Sequence, residues 1–269
     1  MQQRILVTGG ASGLGKEIAL RWAKAGADVC IADLNEVRAQ EVIQELTSLG
    51  AKAMFCRCDI TNEQDILAVK EAVMQSFGGV DLVVNNAGVA SAGSLVEENI
   101  EQWQWVLEIN VLGAVRVSQF FADVFRRQGH GYFLNVASQA GITAAPMMGS
   151  YCASKAAMVS FSETMRLELI DDNIGVSVLC PSFFKTNLDE SVRSVNPAMR
   201  GVVTKLLERG KLSAADVADM AFAGVQRSDF MIVTHSEGRK AYRIKRWLPN
   251  FYLKLMAKQT AKMRSKAGK

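Results

Sequence analysis

Short apolar runs and longer segments of mixed polarity alternate along almost the whole chain. The runs Ile5–Val7, Val29–Ala32, Ala53–Cys56, Leu82–Asn85, Tyr132–Val136, Val176–Cys180 and Phe230–Val233 are mostly continuous in hydrophobicity. That is the pattern of strands covered on both faces, as in a parallel sheet. Between them lie Leu14–Lys24, Glu36–Leu49, Glu63–Phe77, Glu101–Arg127, Ala153–Ile170 and Ala214–Val225, each long enough for an amphipathic crossover helix. Start signals support several of these: Thr61 with Gln64 and Asn99 with Gln102 stand at capping-box spacing, and Ser213 has Asp216 in its first turn. The expected fold is α/β, a doubly wound parallel sheet of about seven strands in three layers. In such sheets a ligand sits outside the carboxyl ends of the strands, where strand order reverses.

Composition narrows the picture. A chain of 269 residues with 49% hydrophobic content can fill one large core, and four prolines with no Gly/Ser-rich or Pro-rich linker give no reason to divide it. The expected organisation is a single domain, 1–238, followed by a tail, 239–269, that is not a domain of its own. The first strand begins almost at the N-terminus and no apolar run reaches the roughly 18 residues of a membrane span, so the expected location is cytoplasmic. Five cysteines, an odd number set mostly in strand-like runs, read as reduced core residues. Cys56 and Cys58 have no histidine or carboxylate cluster at ligand spacing, so no metal site is expected. Charge is uneven: residues 239–269 hold eleven Lys or Arg and no acid, while the rest carries 20 basic and 27 acidic residues. An acidic body without a recognition module argues against nucleic acid.

The segment Thr8-Gly9-Gly10-Ala11-Ser12-Gly13-Leu14-Gly15 follows the first strand and opens the first helix. Glycines there permit positive φ and close approach to a pyrophosphate, and the helix N-terminus offers N–H donors to the anion. Asp33, 20 residues past Gly13 at the end of the second strand, can accept from the ribose hydroxyls of an adenosine. It would repel a ribose 2′-phosphate. With no Lys or Arg within the turn or directly after Asp33, NAD is favoured over NADP as the cofactor. Tyr151 and Lys155 are four apart at the start of a helix and share a face. An ammonium beside a phenol, whose ordinary pKa is about 10, is expected to lower it and let Tyr151 act as acid or base.

Together these segments resemble the short-chain dehydrogenase/reductase family over residues 4 to about 235. The marks are Thr8 to Gly15, Asp33, Asp59-Ile60, Asn85-Asn86-Ala87-Gly88, Asn110, Ser138, Tyr151 with Lys155, and Pro181 with Thr186. The resemblance implies a Rossmann-type sheet and NAD-linked interconversion of a secondary alcohol and a carbonyl. It implies Asn110, Ser138, Tyr151 and Lys155 as the catalytic set. Ser138 would hold the substrate oxygen, Lys155 the nicotinamide ribose, and Asn110 would kink its helix and hold a water on a proton relay. Gly9, Ser12, Gly13, Leu14 and Gly15 would form the phosphate turn, with Asp59 and Ile60 against adenine. Asn86 and Gly88 would wall the ribose, and Thr186 would meet the carboxamide. A homodimer or homotetramer pairing through the long helices is implied too. Ser182 departs from the family, which places glycine after the proline, and this puts the geometry of the substrate loop in doubt.

Met147, Met148, Phe183, Phe184 and Leu188 suggest an apolar, lipid-like substrate, with a lid over Asp189 to Lys211. Leu248, Phe251, Tyr252 and Leu255 fall at i, i+3, i+4 and i+7, with Pro249 suited to a first helical turn, a cationic amphipathic helix. It can bind an anionic inner membrane surface peripherally, pack on the body, or pack on a second subunit. His130 and His235 are given no catalytic role. Two rival readings remain: a non-catalytic NAD-sensing or scaffold protein on the same fold, and epimerase or dehydratase chemistry.

Overall fold

The computed structural model describes residues 3–184, 193, 201 and 210–267. Seven strands form one sheet: β1 (Arg4–Thr8), β2 (Asp28–Asp33), β3 (Ala53–Arg57), β4 (Leu82–Asn85), β5 (Gly131–Val136), β6 (Ile174–Cys180) and β7 (Met231–Val233). Their order is β3-β2-β1-β4-β5-β6-β7, and every neighbouring pair is parallel. Helices α1 (Gly13–Ala23), α2 (Glu36–Ser48) and α8 (Ala214–Gln226) cover one face. Helices α3 (Glu63–Phe77), α5 (Ala114–Gln128) and α7 (Gly149–Glu168) cover the other. The continuous apolar runs have their explanation here: in β1, Ile5 and Val7 enter one core and Leu6 the other, all essentially unexposed. Strand order reverses between β1 and β4, which opens the expected crevice beyond their carboxyl ends.

Several local expectations change. The long helix predicted over Glu101–Arg127 is three pieces: α4 (Ile100–Leu107), a π-helical turn over Glu108–Gly113 that contains Asn110, and α5. Such a turn inserts an extra residue and is frequent at functional sites. At α3 the cap is Asn62, whose side chain accepts from Gln64 N–H, one residue later than the predicted Thr61. Thr61 instead donates to Asp59 at 2.7 Å. Asn99 caps α4, and Ser213 with Asp216 forms a reciprocal capping box on α8, as expected.

A buried polar chain ties the helices of the second face to the sheet. Asn85 on β4 donates to Ser118 on α5 and to Asn135 on β5, and Asn135 donates to Ser162 on α7, at 2.8–3.0 Å. Three buried bonds in series tie helix to sheet at defined positions, although the Asn85 amide oxygen is left without a partner among the described residues. The basic tail forms α9 (Ser236–Trp247) and α10 (Pro249–Ala267), with Pro249 in the first turn of α10 as expected and the two helices broken at Leu248, the residue before it. The pair is fastened to α6 (Gln139–Ile142): Lys245 Nζ donates to the Ile142 carbonyl at 2.8 Å, and Gln139 Nε2 to the Gly238 carbonyl at 3.3 Å. Among the described residues no helix is long and apolar enough to cross a membrane.

Candidate active site

The glycine turn between β1 and α1 cannot be built from other residues. Gly9 and Gly13 hold φ of +63° and +53°, and a Cβ at Gly9 would lie 2.8 Å from the Ala87 Cα. A Cβ at Gly15 would run into the Gly9 carbonyl. Asn86 fastens the turn from β4, its side chain donating to the Thr8 and Gly9 carbonyls at 3.0 and 2.9 Å. This is more than the ribose wall expected of it. Ser12 precedes α1 but makes no side-chain capping bond, and there is no acid in the first turn. The uncapped N–H groups of Ser12, Gly13 and Leu14 therefore belong to a site suited to an anion, and these residues line the main cavity. Gly15 does not line it; a Cβ there would meet the Gly9 carbonyl and the Asn86 amide.

Asp33 closes the other side of the turn. Its carboxylate accepts from Ala11 N–H and Asn35 N–H, both at 2.9 Å, and keeps lone pairs toward the cavity it lines. Lys16, next after the turn, pairs with Glu45 at 2.6 Å. Asp59 and Ile60 also line the cavity, although Asp59 spends one oxygen on Thr61. An adenosine with free ribose hydroxyls and a pyrophosphate fits this set: a carboxylate for the diol, an uncapped helix start for the anion, and a tight turn that a Cβ at 9 or 15 would push apart.

At the opposite end of the cavity stand Ser138, Tyr151 and Lys155. Tyr151 is in the first turn of α7 and 7% exposed; Lys155, one turn on, is 5% exposed. The Lys155 ammonium donates to the Val136 carbonyl at 3.0 Å and lies 5.9 Å from the centre of the Tyr151 ring. Two of its three N–H donors remain for a ligand. The Ser138 hydroxyl, at the end of β5, accepts from Ala140 N–H at 3.1 Å and hydrogen-bonds the phenol. A Cβ at Gly88 would crowd the Asn110 amide oxygen at 3.0 Å.

The expectation that Lys155 acidifies Tyr151 is not met in the protein alone. Burial pushes the phenol up to about 12, softened by the bond from Ser138, and burial pulls the ammonium down to about 8. Desolvation of a phenolate outweighs what an ammonium turned toward Val136 returns. Asn110 does not line the cavity. Its amide accepts from Val89 N–H at 2.8 Å and donates to the Val89 carbonyl and to Ser154, at 2.9 and 3.0 Å. Ser154 in turn donates to the Tyr151 carbonyl at 2.8 Å. Thr186 and Leu188 lie outside the described residues, as does most of the predicted lid. Arg193, within it, exchanges backbone bonds with Ala90 and Ala92 at 3.1 Å. Ser182, in place of the family's glycine, donates its N–H to His235 Nδ1 at 3.3 Å, and His130 is bonded to Asp81 at 3.1 Å, so both histidines are locally bonded.

Two features escape the sequence. Glu98, in a loop, is 7% exposed and accepts from Ser150 N–H and the Ser150 hydroxyl at 3.1 and 2.9 Å. A carboxylate thereby caps the helix that carries Tyr151 and starts it four residues earlier than expected. Glu98→Ala should cost about 1–3 kcal/mol by leaving the Ser150 N–H unpaired, and Glu98→Gln, which keeps an acceptor, should cost less. Urea titrations of the two variants compare them directly. The second feature is the tail: Ile244, Tyr252, Leu255 and Met256 from α9 and α10 line the cavity beside Met148, Phe183 and Phe184. Met147, expected among them, is not; its carbonyl accepts from Gly93 N–H at 2.9 Å. The whole cavity measures about 780 Å³.

A parallel doubly wound sheet with a glycine turn after β1, an acid at the end of β2 and a Tyr–Lys pair across the crevice defines a dinucleotide-binding protein of the oxidoreductase type. The short chain dehydrogenase family model matches residues 3–197, and the chain belongs to that family. It is 35% identical over 187 residues to the 7alpha-hydroxysteroid dehydrogenase of Escherichia coli K12, 70% of this chain and 73% of that protein. It is 30% identical over 254 residues to the protein named Probable oxidoreductase EphD of Mycobacterium tuberculosis, 91% of this chain but 43% of that protein. The chain thus spans less than half the length of that relative. A solved short chain dehydrogenase/reductase of Burkholderia phymatum, in complex with NAD, is similar at a TM-score of 0.87 and 31% identity, covering 91% of this chain and 93% of that one. The family is one of oxidoreductases that use a nicotinamide cofactor.

Proposed function

We propose that this chain is an NAD-dependent oxidoreductase that interconverts a secondary alcohol and a carbonyl on an apolar, lipid-like substrate. One observation carries the reading: a single cavity has the glycine turn and Asp33 at one end and Ser138, Tyr151 and Lys155 at the other, among apolar side chains. Ser12, Gly13, Leu14, Asp33, Asp59, Ile60 and Gly88 would hold the dinucleotide, which when bound supplies the hydride acceptor or donor. The buried phenol of Tyr151 donates its proton to the carbonyl oxygen during reduction and takes it back during oxidation. Ser138 holds that oxygen from a second side, where negative charge develops. Lys155 presents its remaining donors to the ribose. Asn110 holds Val89 and Ser154 in place through its amide.

The apolar wall from Met148, Phe183 and the tail favours a large hydrophobic substrate; the E. coli relative is, by its name, a hydroxysteroid dehydrogenase. Association of copies through α5 and α7 into a homodimer or homotetramer belongs to the same reading. The test is a panel of secondary alcohols and ketones of graded apolar size, followed at the NADH absorbance with NAD and with NADP. NAD should be preferred, and Asp33→Asn should narrow the kcat/KM ratio by about tenfold, a change of about 1.4 kcal/mol. A preference for NADP in the unaltered chain would overturn the cofactor assignment. Binding of NAD without turnover of any panel member would favour the non-catalytic sensor.

A further inference from the structure

The corner between α9 and α10 carries large apolar side chains that neither the core nor the reaction uses. Trp247 is 78% exposed, and Leu248 and Phe251 are each 57% exposed. Phe251 and Leu255 stand at i and i+4 on one face of α10, with Trp247 and Leu248 at the break that precedes it. Tyr252 points the other way: it is 5% exposed, hydrogen-bonds Thr143 and lines the cavity. The tail is therefore a wall with two sides, an inner one toward the substrate cavity and an outer apolar ridge toward solvent. Leu255 belongs to both, since it is 40% exposed and also lines the cavity.

Cations are interspersed with the ridge along the two helices. Arg243, Arg246, Lys254 and Lys258 are exposed, and residues 239–269 contain no acid. An aromatic and aliphatic ridge set among basic side chains is the chemistry of a surface that lies in the headgroup region of an anionic bilayer. The apolar groups enter the acyl boundary and the cations stay with the phosphates. A tryptophan at the edge of such a ridge suits the same depth.

We infer that the α9–α10 corner docks on an anionic lipid surface, with Trp247, Leu248 and Phe251 inserted and the cavity wall at Leu255 and Met256 held next to the lipid. Delivery of a lipid-like substrate from the bilayer into the cavity rests on the oxidoreductase reading above; the docking itself does not.

The experiment is co-sedimentation of the full chain with vesicles of phosphatidylcholine mixed with phosphatidylglycerol, against vesicles of phosphatidylcholine alone. Binding should favour the anionic vesicles by about tenfold or more at low salt and weaken as salt is raised. The double substitution Trp247→Glu with Phe251→Glu should lower binding by about tenfold or more, with turnover of a soluble substrate unchanged. No sedimentation with either vesicle, or equal sedimentation of variant and unaltered chain, would overturn the inference. So would sedimentation velocity showing that the double substitution dissolves an oligomer, because the ridge would then join two copies. Loss of vesicle binding with turnover intact separates failure of the docking surface from failure of the catalytic reading.

Discussion

Tyr151→Phe is expected to lower kcat by about 10²–10⁴-fold, the range of positioned proton transfer, with little change in KM. The substitution removes one oxygen and keeps the ring that packs with Ala90, Ala92 and Met148. Ser138 loses a partner but retains Ala140 N–H, and its hydroxyl also reaches the Pro181 carbonyl at 3.5 Å, so no buried group is orphaned. Stability should therefore change by less than about 1 kcal/mol, and the loss is attributable to chemistry. A pH series sharpens the test. With the phenol held up to about 12, Tyr151 is protonated at neutrality and ready to give its proton to a carbonyl. Alcohol oxidation needs the phenolate, so its rate should climb as pH rises, and the variant's residual rate should lack that climb. Equal turnover of one substrate by both proteins would remove Tyr151 from the reaction.

How much of this could be read from residues alone follows from how local each feature is. The five inner strands were legible because a strand buried on both faces writes itself as a continuous apolar run, and the half-buried edge strands β3 and β7 carry a shorter version of the same pattern. The glycine turn and Asp33 were legible because turn, helix start and strand end lie within one βαβ unit. Tyr151 and Lys155 share a helix face by spacing alone. What stayed hidden depends on contacts between distant segments. Glu98 meets Ser150 across 52 residues, and nothing in a loop acid announces a helix it caps. The tail's periodicity pointed to an amphipathic helix but not to its inner partner. The assumption that a basic neighbour lowers the phenol failed for a related reason: spacing gives proximity, whereas the shift is set by burial, which only the fold determines. Asn110 illustrates the mixture. Its place in the long helix was visible, but the π turn around it and its bonds to Val89 and Ser154 depend on the packing of α7.

Lys155→Met should abolish turnover and make the cofactor-free chain more stable at neutral pH. Burial holds the ammonium near 8 against an ordinary 10.5, so between those values the folded chain binds fewer protons than the unfolded one. Stability of the unaltered protein therefore rises with pH through that window, and below about 8 the full cost of burying the charge is present, on the order of 3 kcal/mol. Methionine fills the place of the lysine stem without a charge. It also leaves the Val136 carbonyl without its Nζ donor, which returns about 1 kcal/mol of that gain. A net stabilisation on the order of 2 kcal/mol is expected at pH 7, and it should shrink as pH is raised past 10. Thermal unfolding of both proteins at the two pH values reads this directly. A variant less stable than the parent at pH 7 would mean that the ammonium is favourably solvated in the crevice, and the site would then not hold its charge at a cost to the fold.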